Sequence, residues 1–211
     1  MTSLKHSIVL AARNEWDHWG RSSWDLIAKK ATIGHTDDEE SFARYVIDSY
    51  CSVGGGNPSV EDVSDDRYYW SAVGMSAIMK SAGLTKPLFP FAQAHSVWIR
   101  RFVAARQASE NAALFWGYRI GEAGGAPEVG DLVAYSRVPG ISPSKAAKLF
   151  DSKSNYPSHS DVVVDIGPGF IEVIGCNVKD SVTLKRLPVS ANGHISDSIH
   201  SWFAVLKLRA A

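Results

Sequence analysis

A serine, a histidine and an amide or carboxylate, each at the edge of a patterned segment, supply the residue types that acyl transfer requires. Ser71 stands in Tyr69-Trp70-Ser71-Ala72 at the start of a helical pattern. His159 and Asp161 stand in His159-Ser160-Asp161 before an apolar strand, and Asn177 closes Gly175-Cys176-Asn177. A hydroxyl is too weak an acid to be a standing nucleophile, so Ser71 needs a general base to take its proton during attack. A helix N-terminus favours negative charge, and the Ser71 backbone N–H is a natural oxyanion donor. His159 is the expected base. A third group must fix its tautomer; Asn177 is favoured for this, with Asp161 as the alternative.

Each residue also has a structural reading. Ser71 could simply satisfy a backbone donor at a helix start, His159 could be a polar strand-edge residue, and Asn177 suits a turn. Their order along the chain argues for a site. His95, in Ala94-His95-Ser96-Val97-Trp98, reads first as a core histidine with a satisfied ring and, more sharply, as a residue at the edge of a substrate site. Trp70, beside the nucleophile position, is expected to line a substrate groove. Cys176 is a rival nucleophile, placed between strands rather than at a helix start, and is read as a small buried residue.

The elements that must hold these groups follow from periodicity. Leu4, Ile8, Ala12, Trp16 and Trp19 recur at helical spacing, as do Phe42, Tyr45, Val46, Ser49 and Tyr50, with Thr36 and Glu39 as a capping box. After Gly54-Gly55-Gly56-Asn57-Pro58 and an acidic loop from Glu61 to Asp66, a helix is expected from about Tyr69, stopped by Gly83. Its apolar stripe runs through Trp70, Val73, Gly74, Ala77 and Ile78. A fourth helix passes through Val97, Trp98, Phe102 and Ala105. From Gly130 the pattern becomes strands: Leu132 to Tyr135, Val162 to Ile166, Phe170 to Ile174, Val182 to Leu184 and Trp202 to Leu208. Gly167-Pro168-Gly169 is a hairpin turn. The connection from Val138 to Ser158 is long enough to be a lid or binding loop, with a short helix at Ser144 to Phe150. Helices followed by an antiparallel sheet give an α+β fold class in one domain over residues 1–211, with a helical half to about 125 and a sheet half from about 126.

Composition excludes several function classes. The 211 residues are 45% apolar, with 22 Lys and Arg against 22 Asp and Glu. No basic field is available for nucleic acid or an anionic membrane. The apolar stretch Ile8 to Ala12 ends at Arg13 and Glu15, too short for an export signal or a membrane span. Cys51 and Cys176 follow no metal-ligand spacing, and Asp62, Asp65 and Asp66 lack the glycine and glutamate of an EF-hand, so no metal or other cofactor is expected.

The segments Trp70-Ser71-Ala72, Ser81-Ala82-Gly83, Ala94-His95, Gly130-Asp131-Leu132-Val133 through Arg137, His159-Ser160-Asp161-Val162-Val163, Gly175-Cys176-Asn177-Val178 and Trp202-Phe203-Ala204-Val205-Leu206 closely resemble the bacterial domain-of-unknown-function family 2272. More distantly, their order is similar to the NlpC and CHAP groups of papain-like peptidoglycan amidases and endopeptidases. That resemblance implies a papain-like fold, with Ser71 in place of the usual cysteine, His159 as base and Asn177 as orienting residue. The departures are Ser71 for cysteine, Asp161 after the histidine, and Cys176 for glycine before Asn177.

The expected function is hydrolysis of an amide bond in the peptide stems or cross-links of peptidoglycan. A chain made in the bacterial cytoplasm without a signal peptide would need another route to a wall substrate. A secreted antibacterial effector delivered to the periplasm of a target cell, or a phage lysis factor, would fit, with an immunity or secretion-apparatus protein as partner. The rival readings are an inactive papain-like module that binds wall fragments or a partner protein, and a serine esterase or acyltransferase.

Overall fold

The computed structural model describes residues 3–209. Helix α1 (Leu4–His18) opens the chain, with the Ser3 hydroxyl accepting from the His6 N–H at its start. Two short strands follow, β1 (Ser22–Asp25) and β2 (Lys30–Thr32). Then come α2 (Glu40–Tyr45), a wider π-type turn over Val46–Cys51, α3 (Ser52–Gly54), α4 (Val60–Ser64), α5 (Ser71–Ser81) and α6 (Ser96–Gln107). Strands β3 (Phe115–Arg119) and β4 (Leu132–Ser136) precede α7 (Pro143–Ala147) and a 3-10 turn over Lys148–Asp151. The chain closes with β5 (Ser158–Gly167), β6 (Phe170–Val178), β7 (Ser181–Pro188) and β8 (Trp202–Leu208).

Among the described residues the strands form one eight-stranded sheet in the order β2-β1-β7-β6-β5-β4-β8-β3, antiparallel except for the parallel pair β1 and β7. The result is a mixed α/β architecture. Strand β4 sits near the middle and is buried on both faces. Leu132 and Ala134 face the large core shared with the helices, whereas Val133 and Tyr135 face a smaller core with Val163, Leu187 and Trp202. This alternation is the two-residue period of a strand.

Three strands correct the expectation of a purely helical first half. β1 pairs with β2 and with the distant β7, and β3 pairs with β8. Their segments are three to five residues long; β1 and β2 form a short hairpin, while β1 with β7 and β3 with β8 pair across the chain, and runs this short show no clear period. The expected acidic loop contains α4 instead: Ser59 and Asp62 form a reciprocal capping box. The Thr36–Glu39 box forms only in part, with the Glu39 carboxylate accepting from the Thr36 N–H at 3.2 Å.

Helix α5 is buried on nearly every side, from Ser71 to Met79, rather than along one stripe. It packs between α1, the π-type turn and strand β6. A Cβ at Gly74 would stand 2.8 Å from the Cys176 Cβ, so glycine is what lets the helix lie this close to β6. At the head of α5, the Trp70 ring is fully buried and stacks on Trp19, with centroids 4.8 Å apart. Its indole Nε1–H donates to Asp37 Oδ2 at 2.5 Å. Trp70 is therefore a core anchor for the helix start, correcting the expectation that it lines a groove.

Burial raises the Asp37 carboxyl to about 7 from 3.8, against the lowering effect of the Trp70 bond. The folded state then holds a proton that the unfolded chain releases above 3.8, so this group's contribution to stability falls as pH rises from 3.8 towards about 7. Asp37→Asn keeps an acceptor for Trp70 without the ionisation. Denaturant unfolding at about pH 5 and about pH 8 should show the variant losing less stability on the alkaline side than the parent, by an amount on the order of 1 kcal/mol or more.

Candidate functional site

Two helix N-termini meet over the end of β5. Ser71 is the first residue of α5, where a backbone N–H has no acceptor within the helix. His95 immediately precedes α6. The Ser71 Oγ lies 2.9 Å from His95 Nε2, and His95 Nδ1 lies 2.8 Å from Ser160 Oγ, which also accepts from the Trp98 indole N–H at 3.2 Å. Trp98 packs edge-on against the imidazole, with centroids 4.8 Å apart. Burial above all, followed by the neighbouring His159 and Arg137, holds His95 well below its ordinary value of 6.5, so its ring is neutral. A neutral imidazole beside a hydroxyl can accept its proton when Nδ1 carries the hydrogen and donates it to Ser160.

The expected pairing of Ser71 with His159 is replaced by this contact. His159 is fully buried, and both of its nitrogens are occupied. Nε2 lies 3.0 Å from Asp161 Oδ1, while Nδ1 faces the Arg137 guanidinium at 3.2 Å. A guanidinium only donates, so Nδ1 is the acceptor and Nε2–H donates to the carboxylate. Burial pushes His159 down to about 3, against the pull of Asp161. Asp161 in turn forms a close ion pair with Lys185 (Nζ–Oδ2, 2.8 Å), both residues fully buried. Although burial disfavours both charges, each holds the other ionised: Asp161 lies below, and Lys185 above, its ordinary range. Tyr135 and Trp202 cover the ammonium with ring centroids at 4.6 and 5.3 Å.

The strand period explains the division of partners. On β5, Ser160 shares a face with Val162 and Val164, which join the helical core, and meets His95 there. His159 and Asp161, two residues apart, face the other way towards Tyr135 and Lys185. Asp161, not Asn177, therefore orients His159. The sequence placed His95 in the apolar helical segment Ala94-His95-Ser96-Val97-Trp98, and nothing local shows that a strand serine faces it.

Asn177 sits at an irregularity of the β6–β7 ladder between Gly175 and Val178, with φ 51°. Asparagine tolerates this left-handed conformation better than most residues. With its amide oxygen turned inward, it accepts from the Trp70 backbone N–H and indole N–H at 3.3 Å each, while its carbonyl accepts from Arg137 Nη2 at 2.8 Å. It thus joins the helix start to the bulge rather than to the His159 ring. Cys176 is fully buried against Gly74, and burial pushes its thiol well up, which leaves it without nucleophilic character.

These groups border a cleft of about 670 Å³, lined by Tyr69, Ser71, His95, Arg137, Tyr156 and Asn177 among others. Tyr69, 72% exposed, takes the lining position expected for Trp70. The 139–158 segment supplies Pro139 and Asn155 to Ser158, so the long connection does border the cleft. No group of three or more metal-ligating side chains occurs among the described residues, and no helix among them is long and apolar enough to cross a membrane.

The model of a bacterial family described as "Uncharacterized protein conserved in bacteria (DUF2272)" matches residues 20–208. No curated protein and no solved structure matches the chain.

The buried ion pair makes a specific demand on β6. A Cβ at Gly175 would overlap Asp161 Oδ1 and stand 2.9 Å from His159 Nε2. Gly175→Ala should therefore destabilise the protein by about 1–3 kcal/mol, measured by denaturant unfolding. A neutral outcome would mean that the Asp161 carboxylate is free to move.

Proposed function

The chain belongs to this bacterial family, whose description assigns no activity, so its function has to be argued from the cleft; we propose that it is an acyl-transfer hydrolase in which Ser71 attacks and His95 is the base. The observation that carries this reading is the 2.9 Å contact between Ser71 Oγ and His95 Nε2 at the mouth of a cleft large enough for a peptide. The segment order, similar to that of papain-like peptidoglycan amidases and endopeptidases, favours an amide bond of peptidoglycan stems or cross-links as the substrate.

Ser71 Oγ would bond to the substrate carbonyl carbon as its proton passes to His95 Nε2, and the Ser71 backbone N–H would face the developing oxyanion. The imidazolium would then return the proton to the leaving amine, giving a Ser71 ester. Water would cleave that ester by the reverse proton path. Ser160 would hold the productive tautomer. His159 and Asp161 take no proton in this scheme.

A second reading, a binding module that retains the cleft without cutting, is favoured by one observation: the third group on His95 is a neutral hydroxyl. Ser160 would stabilise an imidazolium far less than a carboxylate does. The periplasmic-effector route and its immunity or secretion partners remain part of the proposal through the wall substrate alone.

The test compares wild type, Ser71→Ala, His95→Ala and His159→Ala on purified peptidoglycan, with products read by mass spectrometry. Release by wild type should fall about a hundredfold or more in the Ser71 and His95 variants. Equal activity of wild type and Ser71→Ala removes the serine from the mechanism, and binding without release by wild type supports the module reading. The pH profile gives an independent check. His95 must be neutral to accept a proton, and its folded value lies well below 6.5, so kcat/KM should stay level as pH falls through 6.5 and decline only at lower pH.

A further inference from the structure

Arg137 is the one formally charged side chain among the described residues that line the cleft beside Ser71. Its Nη2 is fixed at two points, by His159 Nδ1 at 3.2 Å and by the Asn177 carbonyl at 2.8 Å. Its side-chain Nε and Nη1 donate to no protein acceptor among the described residues, and no carboxylate there pairs with it. The same guanidinium also borders an adjoining pocket of about 410 Å³ that contains Lys179 and His200. Both two-point edges of a guanidinium include Nη2, so an arginine held this way offers an incoming carboxylate oxygen its charge and the single N–H donors of Nε and Nη1.

We propose that Arg137 anchors a substrate carboxylate, so that the cleft selects acyl compounds bearing a free carboxylate, and that His159 is the positioning residue that aims the arginine. This deepens, and rests on, the reading of the Ser71 cleft as an acyl-substrate site. It also gives the buried chain Lys185–Asp161–His159 a role outside proton transfer. Lys185 keeps Asp161 ionised, Asp161 draws the hydrogen of His159 to Nε2, and the vacant Nδ1 lone pair then accepts from Arg137. With the opposite tautomer, two donors would face each other and the guanidinium would be expelled from this position. In a cleft otherwise neutral, the single cation distinguishes an acid from the corresponding amide.

The experiment is a binding titration on full-length Ser71→Ala, followed by NMR, with N-acetyl-alanyl-alanine as the free acid and as the C-terminal amide, in both configurations of the last residue. The acid should bind about tenfold or more tightly than the amide. Arg137→Gln should abolish the preference, and Arg137→Lys, which keeps the charge without the Nη2 contacts that aim it, should retain only part of it. His159→Gln, which can donate to Asp161 and accept from Arg137, should preserve the preference, whereas His159→Leu should reduce it. Equal affinity for acid and amide, no binding of either, or a preference unchanged in Arg137→Gln overturns the proposal. A preference for the acid in a protein whose wild type cuts no peptidoglycan leaves the anchor standing and rejects the nucleophile.

Discussion

Asp161 is a carboxylate with no exposure to water, and the surrounding structure has to satisfy it. An unpaired buried charge is so costly that the group would sooner take up a proton, and removing one partner from such a pair typically costs about 3–5 kcal/mol. Lys185 from β7 supplies the counter-charge, His159 from the same strand supplies a hydrogen bond, and Gly175 from β6 leaves the space. Three adjacent strands are thereby fixed in register at one end of the sheet. The tautomer of His159 follows, and with it the position of Arg137 and of the bulge carbonyl at Asn177.

The opposite face of the same strand end holds the reactive pair. Ser160 points to the helices and meets His95, and Ser71 arrives on α5, which lies close to β6 because Gly74 presents no side chain to Cys176. Two layers of polar groups thus share one strand: a charged layer that is locked, and a neutral layer that borders the cleft. Both imidazoles are neutral and bonded at both nitrogens, but His95 Nε2 faces a hydroxyl that can yield its proton, whereas His159 lies between a carboxylate and a guanidinium.

Several elements were legible before the structure. Strands β4 to β8 appear as β-branched and aromatic runs, the hairpin at Gly167-Pro168-Gly169 separates two of them, and the start of α5 follows an acidic break. Ser71, His95, Arg137 and Asn177 all fall within segments that motif order marks. Strands β1 and β3 were not legible, because they are only four and five residues long and their places in the sheet are fixed by the distant β7 and β8. Trp70 looked like groove lining from its neighbour in sequence, but packing against Trp19 and the bond to Asp37 place it in the core.

The sequence by itself determined the inventory: a serine at a helix start, two histidines, an aspartate beside a strand and an asparagine suited to a turn, in an order that belongs to one family. The tertiary structure decided which histidine the serine meets. Residues two apart on a strand point the same way, so His159 and Asp161 satisfy one another and Lys185 on the face away from the helices. That pairing occupies the ring that looked available and leaves His95, whose partners come from α5 and β5, as the imidazole against Ser71. Local spacing carries no record of such an exchange, because it depends on which faces of distant elements are brought together in the core.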